Sequence, residues 1–432
     1  VLMCFIGGFV ALIEKSGGAV AFATKMTHII TNRFKAQIAT WLTGIAIFFS
    51  DLGTPLIVGP IYRPIIDKLK ISRVKLAWII DTTASPVAVL VPFIGWGVYS
   101  MGLIEKQYLQ IGLSEPAFDA YVSAIPFQFY SIFAILMVPL VAFSGYEFGP
   151  MARAEQRAQA NAALEDDSGQ NIDDTMSHPN AKAIFVWLPL VVMVSILFFL
   201  LVPLGFPLKS VPSLAFRGAL SSAYFFSALT LIVLMMVEGV KSFKESMVIY
   251  FTGVSKMTSI LIILVLAWSL SSLGGDLGTP NYIISLAQGN FAPYLVPVIA
   301  FLFGALMSFA TGSSWGTYAI MMPLIIAVAH ALGAPMHVCI GAVLSGGMFG
   351  DHCSPISDTT ILSASGAGCS QFDHVRTQLP YELFNGSICI VCYITAGITE
   401  SNLVFIPGLL LLGLGLFMLN KVAGVKIHNY QA

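Results

Sequence analysis

Apolar residues run along this chain in long blocks, and polar residues fall either between the blocks or in short clusters inside a few of them. Crossing the hydrocarbon core of a bilayer takes about 20 apolar residues of helix. By that measure 117–144, 183–205, 213–240, 254–273, 383–400 and 403–420 are predicted to be ordinary spans, and 1–13 the tail of another. The chain opens in mid-block, Val1-Leu-Met-Cys4, so N-terminal sequence holding one or more spans is expected ahead of it. Residues 145–182 carry Arg153, Glu155, Arg157, Glu165, Asp166, Asp167, Asp173 and Asp174 without apolar periodicity, and are predicted to form a solvated linker.

Four apolar blocks are interrupted. Block 36–66 is too long for one straight span and too short for two, with Asp51-Leu-Gly-Thr-Pro55 at its middle. Two arms of about 15 residues each reach only about 22 Å, which predicts a re-entrant hairpin with a polar tip. Block 291–331 repeats the arrangement around Ala310-Thr-Gly-Ser-Ser-Trp-Gly316. Blocks 74–104 and 336–366 are broken by Asp81-Thr-Thr-Ala-Ser-Pro86 and by Asp351-His-Cys-Ser-Pro-Ile-Ser-Asp-Thr-Thr360, and are predicted to be broken helices. Hairpin followed by broken helix therefore occurs twice. The expected organisation is a first repeat over 1–144, the linker over 145–182, and a second repeat with the C-terminal spans over 183–432.

Charge placement predicts the orientation of the halves. If the first hairpin enters from the cytoplasm, its flanks Lys35, Lys68, Lys70, Arg73 and Lys75 lie there, and counting spans onward adds Arg153, Lys182, Lys241, Lys244, Arg376 and Lys421. Only Lys106 and Lys209 fall firmly outside, as the positive-inside rule requires. The second hairpin, flanked by Asn290 and His330, is then expected to enter from outside, as is the loop 276–290. The fold class predicted is an all-α polytopic membrane protein of two inverted repeats with re-entrant hairpins and broken transmembrane helices.

Composition narrows the function. Of 432 residues, 57% are hydrophobic and 10% charged, where a soluble domain carries about 25% charged residues. The partner is therefore the lipid bilayer. A net charge of −1 with no basic, aromatic-interleaved patch sets nucleic acid aside. The six cysteines sit mostly in or beside apolar runs, and Cys389-Ile-Val-Cys392, without a second pair, is expected to be structural.

Backbone freed at a tip or break inside a membrane must line a cavity or bind something. Asp51, Asp81, Asp351 and Asp358 all fall at such interruptions, and an ionisable group deep in a membrane is a functional candidate. Around them stand Thr54, Thr82, Thr83, Ser85, Thr311, Ser313, Ser314, Ser354, Ser357 and Thr359. Hydroxyls, carbonyls and a carboxylate are the ligands a hard cation takes. Each has a plainer reading: hydroxyls also satisfy kinked backbone, an acid can pair with Arg or His, and Asp358 before Thr-Thr can cap the next half-helix.

Phe349-Gly-Asp-His-Cys-Ser-Pro-Ile-Ser-Asp-Thr-Thr-Ile-Leu-Ser363, with Gly366-Ala-Gly-Cys369 and His374-Val-Arg-Thr-Gln-Leu-Pro-Tyr381, closely resembles the signature of the NhaC-type sodium/proton antiporter family, within the wider ion-transporter superfamily. Thr311-Gly-Ser-Ser-Trp-Gly-Thr317, Arg63-Pro, Asp67-Lys-Leu-Lys-Ile-Ser-Arg73 and Asp81-Thr-Thr-Ala-Ser-Pro86 extend the resemblance over about residues 1–385. It implies elevator-like movement, a scaffold that often forms a homodimer, and a bacterial cytoplasmic (inner) membrane. Related sequences often carry a further acid where this chain has Ser50.

Three functions are weighed. The first is Na⁺/H⁺ antiport, with Na⁺ held at Asp81, Asp351 and Asp358 by carboxylate, nearby hydroxyls and carbonyls, and H⁺ competing for the same acids; no cofactor is expected beyond the transported ions. The second is a Na⁺-coupled carrier or exchanger of small organic anions, malate or lactate in type, or of amino acids. It relies on half-helix dipoles and bound Na⁺, because no basic residue is placed at the tips. The third is an intramembrane aspartyl protease on Asp81 and Asp351, which leaves the second hairpin and Asp358 without a role.

Overall fold

The computed structural model describes residues 2–27, 30–160, 178–206, 209, 211–278, 282, 285 and 292–427. Among them seven helices are long and apolar enough to cross a membrane, or nine if two bent pairs each count as one span. The first bent pair is α1 (Leu2–Lys15) and α2 (Gly18–Thr27), meeting at 52°. The stretch expected to end a span is therefore, from Leu2 to Lys15, the first arm of a third interrupted helix. Ser16 makes the break: its hydroxyl donates to the Ile13 carbonyl at 2.7 Å and accepts from the Gly18 N–H at 3.0 Å, serving the end of one arm and the start of the next.

The first hairpin is α3 (Arg33–Ala46), a turn over 47–52, and α4 (Gly53–Lys68). Its arms are about 21 and 24 Å long, shorter than the bilayer core. Next, α5 (Arg73–Thr83) breaks at Ala84, resumes for one turn as α6 (Ser85–Ala88), and after 89–94 continues as α7 (Gly95–Ile111). Pro86 lacks an N–H, and the Thr82 and Thr83 hydroxyls turn back on the carbonyls of Trp78 and Ile79, at 2.7 and 2.8 Å. Block 117–144 is not an ordinary span. It divides into α8 (Ala117–Ala124) and α9 (Phe129–Ser144), bent by 47° through a 3₁₀ turn at Ile125–Phe127 that contains Pro126.

The expected solvated linker begins as folded structure. Strand β1 (Tyr146–Glu147) is followed by α10 (Gly149–Ala160), and Glu155 on α10 is 1% exposed. Its carboxylate pairs with Arg33 at the base of the first hairpin and accepts from the Ser72 N–H at 2.8 Å and the Ser72 hydroxyl at 2.7 Å. A second buried pair, Lys75 to Glu147 at 2.5 Å, fixes β1 to α5. These partners explain why a charge-rich stretch packs down: each carboxylate has a cation and hydrogen bonds waiting. The rest of the linker, 161–177, lies outside the described residues, as does most of the 276–290 loop.

The second half holds α11 (Ile184–Leu201), α12 (Ser213–Val237) and α13 (Phe243–Asp276). The second hairpin is α14 (Val296–Thr311) and α15 (Ser314–Leu332), joined at Gly312-Ser313, where Gly312 has φ +65°. The second broken helix is α16 (Met336–Cys353) and α17 (Asp358–Ala367), separated by 354–357. Long α18 (Gln371–Thr399) and α19 (Phe405–Ala423) close the fold, and β2 (Val425–Lys426) pairs antiparallel with β1. Hairpin and broken helix touch backbone to backbone: a Cβ on Gly350 would lie 2.1 Å from the Ala305 carbonyl oxygen.

The 29-residue α18 is a ruler of about 43 Å. Arg73, just past the first hairpin, donates to the Gly368 carbonyl at 3.1 Å beside the start of α18. At its other end, a Cβ on Gly397 would lie 2.1 Å from the carbonyl oxygen of Tyr294, at the base of the second hairpin. The bases of the two hairpins therefore stand at opposite ends of α18.

Candidate functional site

Both hairpin tips and both helix breaks converge on one cavity of about 670 Å³. Its walls include Ser50, Asp51 and Leu52 from the first tip, Gly312 to Trp315 from the second, Ser85 from the first break, and Asp351, Ser357, Asp358 and Thr359 from the second. Asp351 is the best-enclosed of the cavity acids. It is 5% exposed, stands three residues before the break at Ser354, and accepts from the Ser314 hydroxyl at 3.0 Å. One carboxylate thus joins the second tip to the second break.

Asp51 accepts from the Trp96 indole N–H at 2.9 Å, and Trp96 stacks on Trp315 with ring centres 3.9 Å apart. Tyr99 donates to the Trp315 carbonyl at 2.9 Å. Through these rings α7 holds the two tips together. Ser313 caps α15, accepting from the Gly316 N–H. Asp358 is exposed and opens on the cavity, but it does not cap α17: Ser357 occupies that position, with its hydroxyl 3.2 Å from that of Thr359.

Other expected ligands lie elsewhere. Asp81 is fully buried and does not line the cavity; it accepts from Thr360, Ser363, His374 and Gln378 at 3.2 to 3.4 Å, with His352 at 3.8 Å. His352 bonds Tyr130 at 2.9 Å, and Glu382 accepts from Tyr130 at 2.5 Å and from Trp78 at 2.9 Å. Asp81 thus belongs to a closed polar cluster that ties α5 to α9, α16, α17 and α18. Thr54, Thr82, Thr83 and Thr311 return their hydroxyls to their own helices or turn, and Ser354 donates to the Phe309 carbonyl at 2.9 Å. Asp351 and Asp358 line the cavity and Asp81 does not, and among the described residues no three His, Cys, Asp or Glu side chains gather as a metal site. Asp351 bonds Ser314 at the cavity, while Asp81 is taken up in its own cluster.

Three cavity residues were not among those singled out in the sequence. Glu14 reaches the first tip, accepting from the Ser50 hydroxyl at 2.5 Å, while Lys15 and Lys256 stand on the same walls. The tips themselves hold no basic residue, and the cations of this cavity come from these two lysines on α1 and α13. Lys256 could have been found, because the rule that flags an acid inside an apolar block flags a lysine there too. Glu14 and Lys15 instead look like the polar end of a span.

The Na⁺/H⁺ antiporter family model matches residues 87–398. An uncharacterized protein of Haemophilus influenzae is 33% identical over 415 residues, covering 93% of this chain and 78% of the relative. The malate-2H⁺/Na⁺-lactate antiporter of Bacillus subtilis is 44% identical over 75 residues, only 17% of this chain and 16% of that protein. The crystal structure of the YdaH transporter of Alcanivorax borkumensis, described as having an unusual topology, aligns at a TM-score of 0.50 and 14% identity over 96% of this chain and 85% of its own, a likeness of fold alone.

Proposed function

The chain belongs to the Na⁺/H⁺ antiporter family, and from that premise we propose that this multi-pass transporter exchanges Na⁺ for H⁺ by competition at cavity carboxylates, chiefly Asp351. The observation that carries the reading is the placing of Asp351, nearly enclosed between a hairpin tip and a helix break with the Ser314 hydroxyl at 3.0 Å. Na⁺ is the substrate there. The Asp351 carboxylate supplies the charge, and Ser314, Ser357, Thr359 and broken-helix carbonyls supply neutral oxygen. A proton on the same carboxylate removes the charge that draws Na⁺, so the two ions take turns.

Inverted repeats over 1–144 and 183–432 are part of the proposal, supported by the hairpin bases at opposite ends of α18. So are an elevator-like displacement of hairpins and broken helices, a homodimeric scaffold, and an inner-membrane location with the linker in the cytoplasm. In proteoliposomes, an imposed Na⁺ gradient should drive proton movement with no organic solute present. An absolute requirement for an organic acid overturns this reading.

A second reading, exchange of a small organic anion, gains from the cavity itself. A volume of about 670 Å³ is within the range of small-molecule sites, and Lys15 and Lys256 supply a cationic wall. The same liposomes decide between the two when malate, lactate and amino acids are added singly.

A further inference from the structure

Glu14 sits on the cavity wall formed by α1 and α13, beside the first hairpin tip. Its position is built in: Gly7 and Gly253 bring α1 and α13 into backbone contact, a Cβ on Gly253 falling 2.3 Å from the Gly7 carbonyl oxygen. From these two helices Glu14 and Lys256 both reach the cavity wall. The Ser16-Gly17 break then ends α1 at the cavity instead of carrying it past. At the first tip, the Gly53 N–H donates to the Ser50 hydroxyl at 2.9 Å and that hydroxyl donates to one Glu14 oxygen. Beside Asp51 lies the Ser85 hydroxyl, 2% exposed, in the wall of the same cavity. A buried hydroxyl beside a carboxylate offers a hard cation the two kinds of oxygen it takes.

We propose that Glu14 is a cation-binding carboxylate of the transport site, presented by the α1–α13 wall, and that with Asp51 and the Ser85 hydroxyl it sets affinity and selectivity for a small monovalent cation. The proposal rests on the reading that this cavity carries the transported cation. Because Glu14 belongs to the α1–α13 wall and Asp51 and Ser50 to the first hairpin, the cation bridges two bodies, and its release follows when the hairpin withdraws Asp51 and Ser50 from Glu14.

The test is equilibrium binding of radioactive Na⁺ to the purified full chain in detergent, with Li⁺ as competitor, for wild type, Glu14→Gln, Glu14→Asp and Asp351→Asn, each checked for its melting temperature. Glu14→Gln should raise half-saturating Na⁺ about 10-fold, about 1.4 kcal/mol, and change the Na⁺/Li⁺ preference. Glu14→Asp should recover part of the affinity and keep an altered preference. A role limited to holding Ser50 would change melting and leave the ion preference alone. If wild type binds Na⁺ and Asp351→Asn does not, yet both Glu14 variants match wild type, the Glu14 inference alone falls. If wild type binds no Na⁺, the antiport reading falls and takes this inference with it.

Discussion

Replacing Asp351 with Asn keeps the shape of the side chain and an oxygen that can accept from Ser314 at the present 3.0 Å, while removing the charge and the titration. The cost is worked from burial. At 5% exposure the carboxylate meets its ion in a medium of effective dielectric about 20, where unit charges 4 Å apart attract by about 4 kcal/mol. Losing that is close to three decades of affinity, at about 1.4 kcal/mol per decade. Asp358 opens on the cavity and is exposed, so with a dielectric near that of water the same change costs about 1 kcal/mol, or about 5-fold. The assay is Na⁺-driven change of internal pH in proteoliposomes between pH 6 and 9. Wild type should show a KM for Na⁺ that rises as pH falls, because protonation empties the site of charge. Asp358→Asn should keep this dependence with a modestly higher KM, and Asp351→Asn should be inactive yet fold normally. Retention of normal, pH-dependent exchange by Asp351→Asn refutes the site assignment.

Asp81→Asn should act mainly on stability: it leaves His352 and His374 facing an uncharged partner in a fully buried cluster, at about 3 kcal/mol or more, read as a lower melting temperature than that of Asp351→Asn. Glu155→Ala strands the buried Arg33 guanidinium and should cost about 3 to 5 kcal/mol; thermal unfolding within a degree of wild type would show that α10 does not brace the first hairpin. Gly44→Ala places a Cβ 2.0 Å from the Thr83 hydroxyl oxygen, pushing the first hairpin off α5, and should destabilise by about 1 to 3 kcal/mol with loss of transport. Cysteines at Lys68 and Asn402, in a background lacking native thiols, should be labelled from opposite faces of the membrane, and labelling from one face would remove the inverted arrangement.

The hairpins and broken helices were legible because their cause is local. A polar cluster with glycine or Ser-Pro inside an apolar block cannot continue as lipid-facing helix, whatever surrounds it, so Asp51, Ser85, Gly312, Asp351 and Asp358 could be placed at interruptions from sequence alone. Periodicity could not say which interruptions meet. Asp81 and Asp351 precede matching Ser-Pro steps and look equivalent in the sequence, yet one faces the cavity and the other is enclosed by two histidines, a glutamine and two hydroxyls from α16, α17 and α18. The kinks in 2–27 and 117–144 were hidden because their apolar count was sufficient for a span, and the helical order of 149–160 because its stability comes from Arg33 and Ser72, far away in the chain. Glu14 and Lys256 are the same lesson at the site. What lies next to the first tip is decided by the contact of Gly7 with Gly253, an approach between residues 246 positions apart that only the folded chain can make.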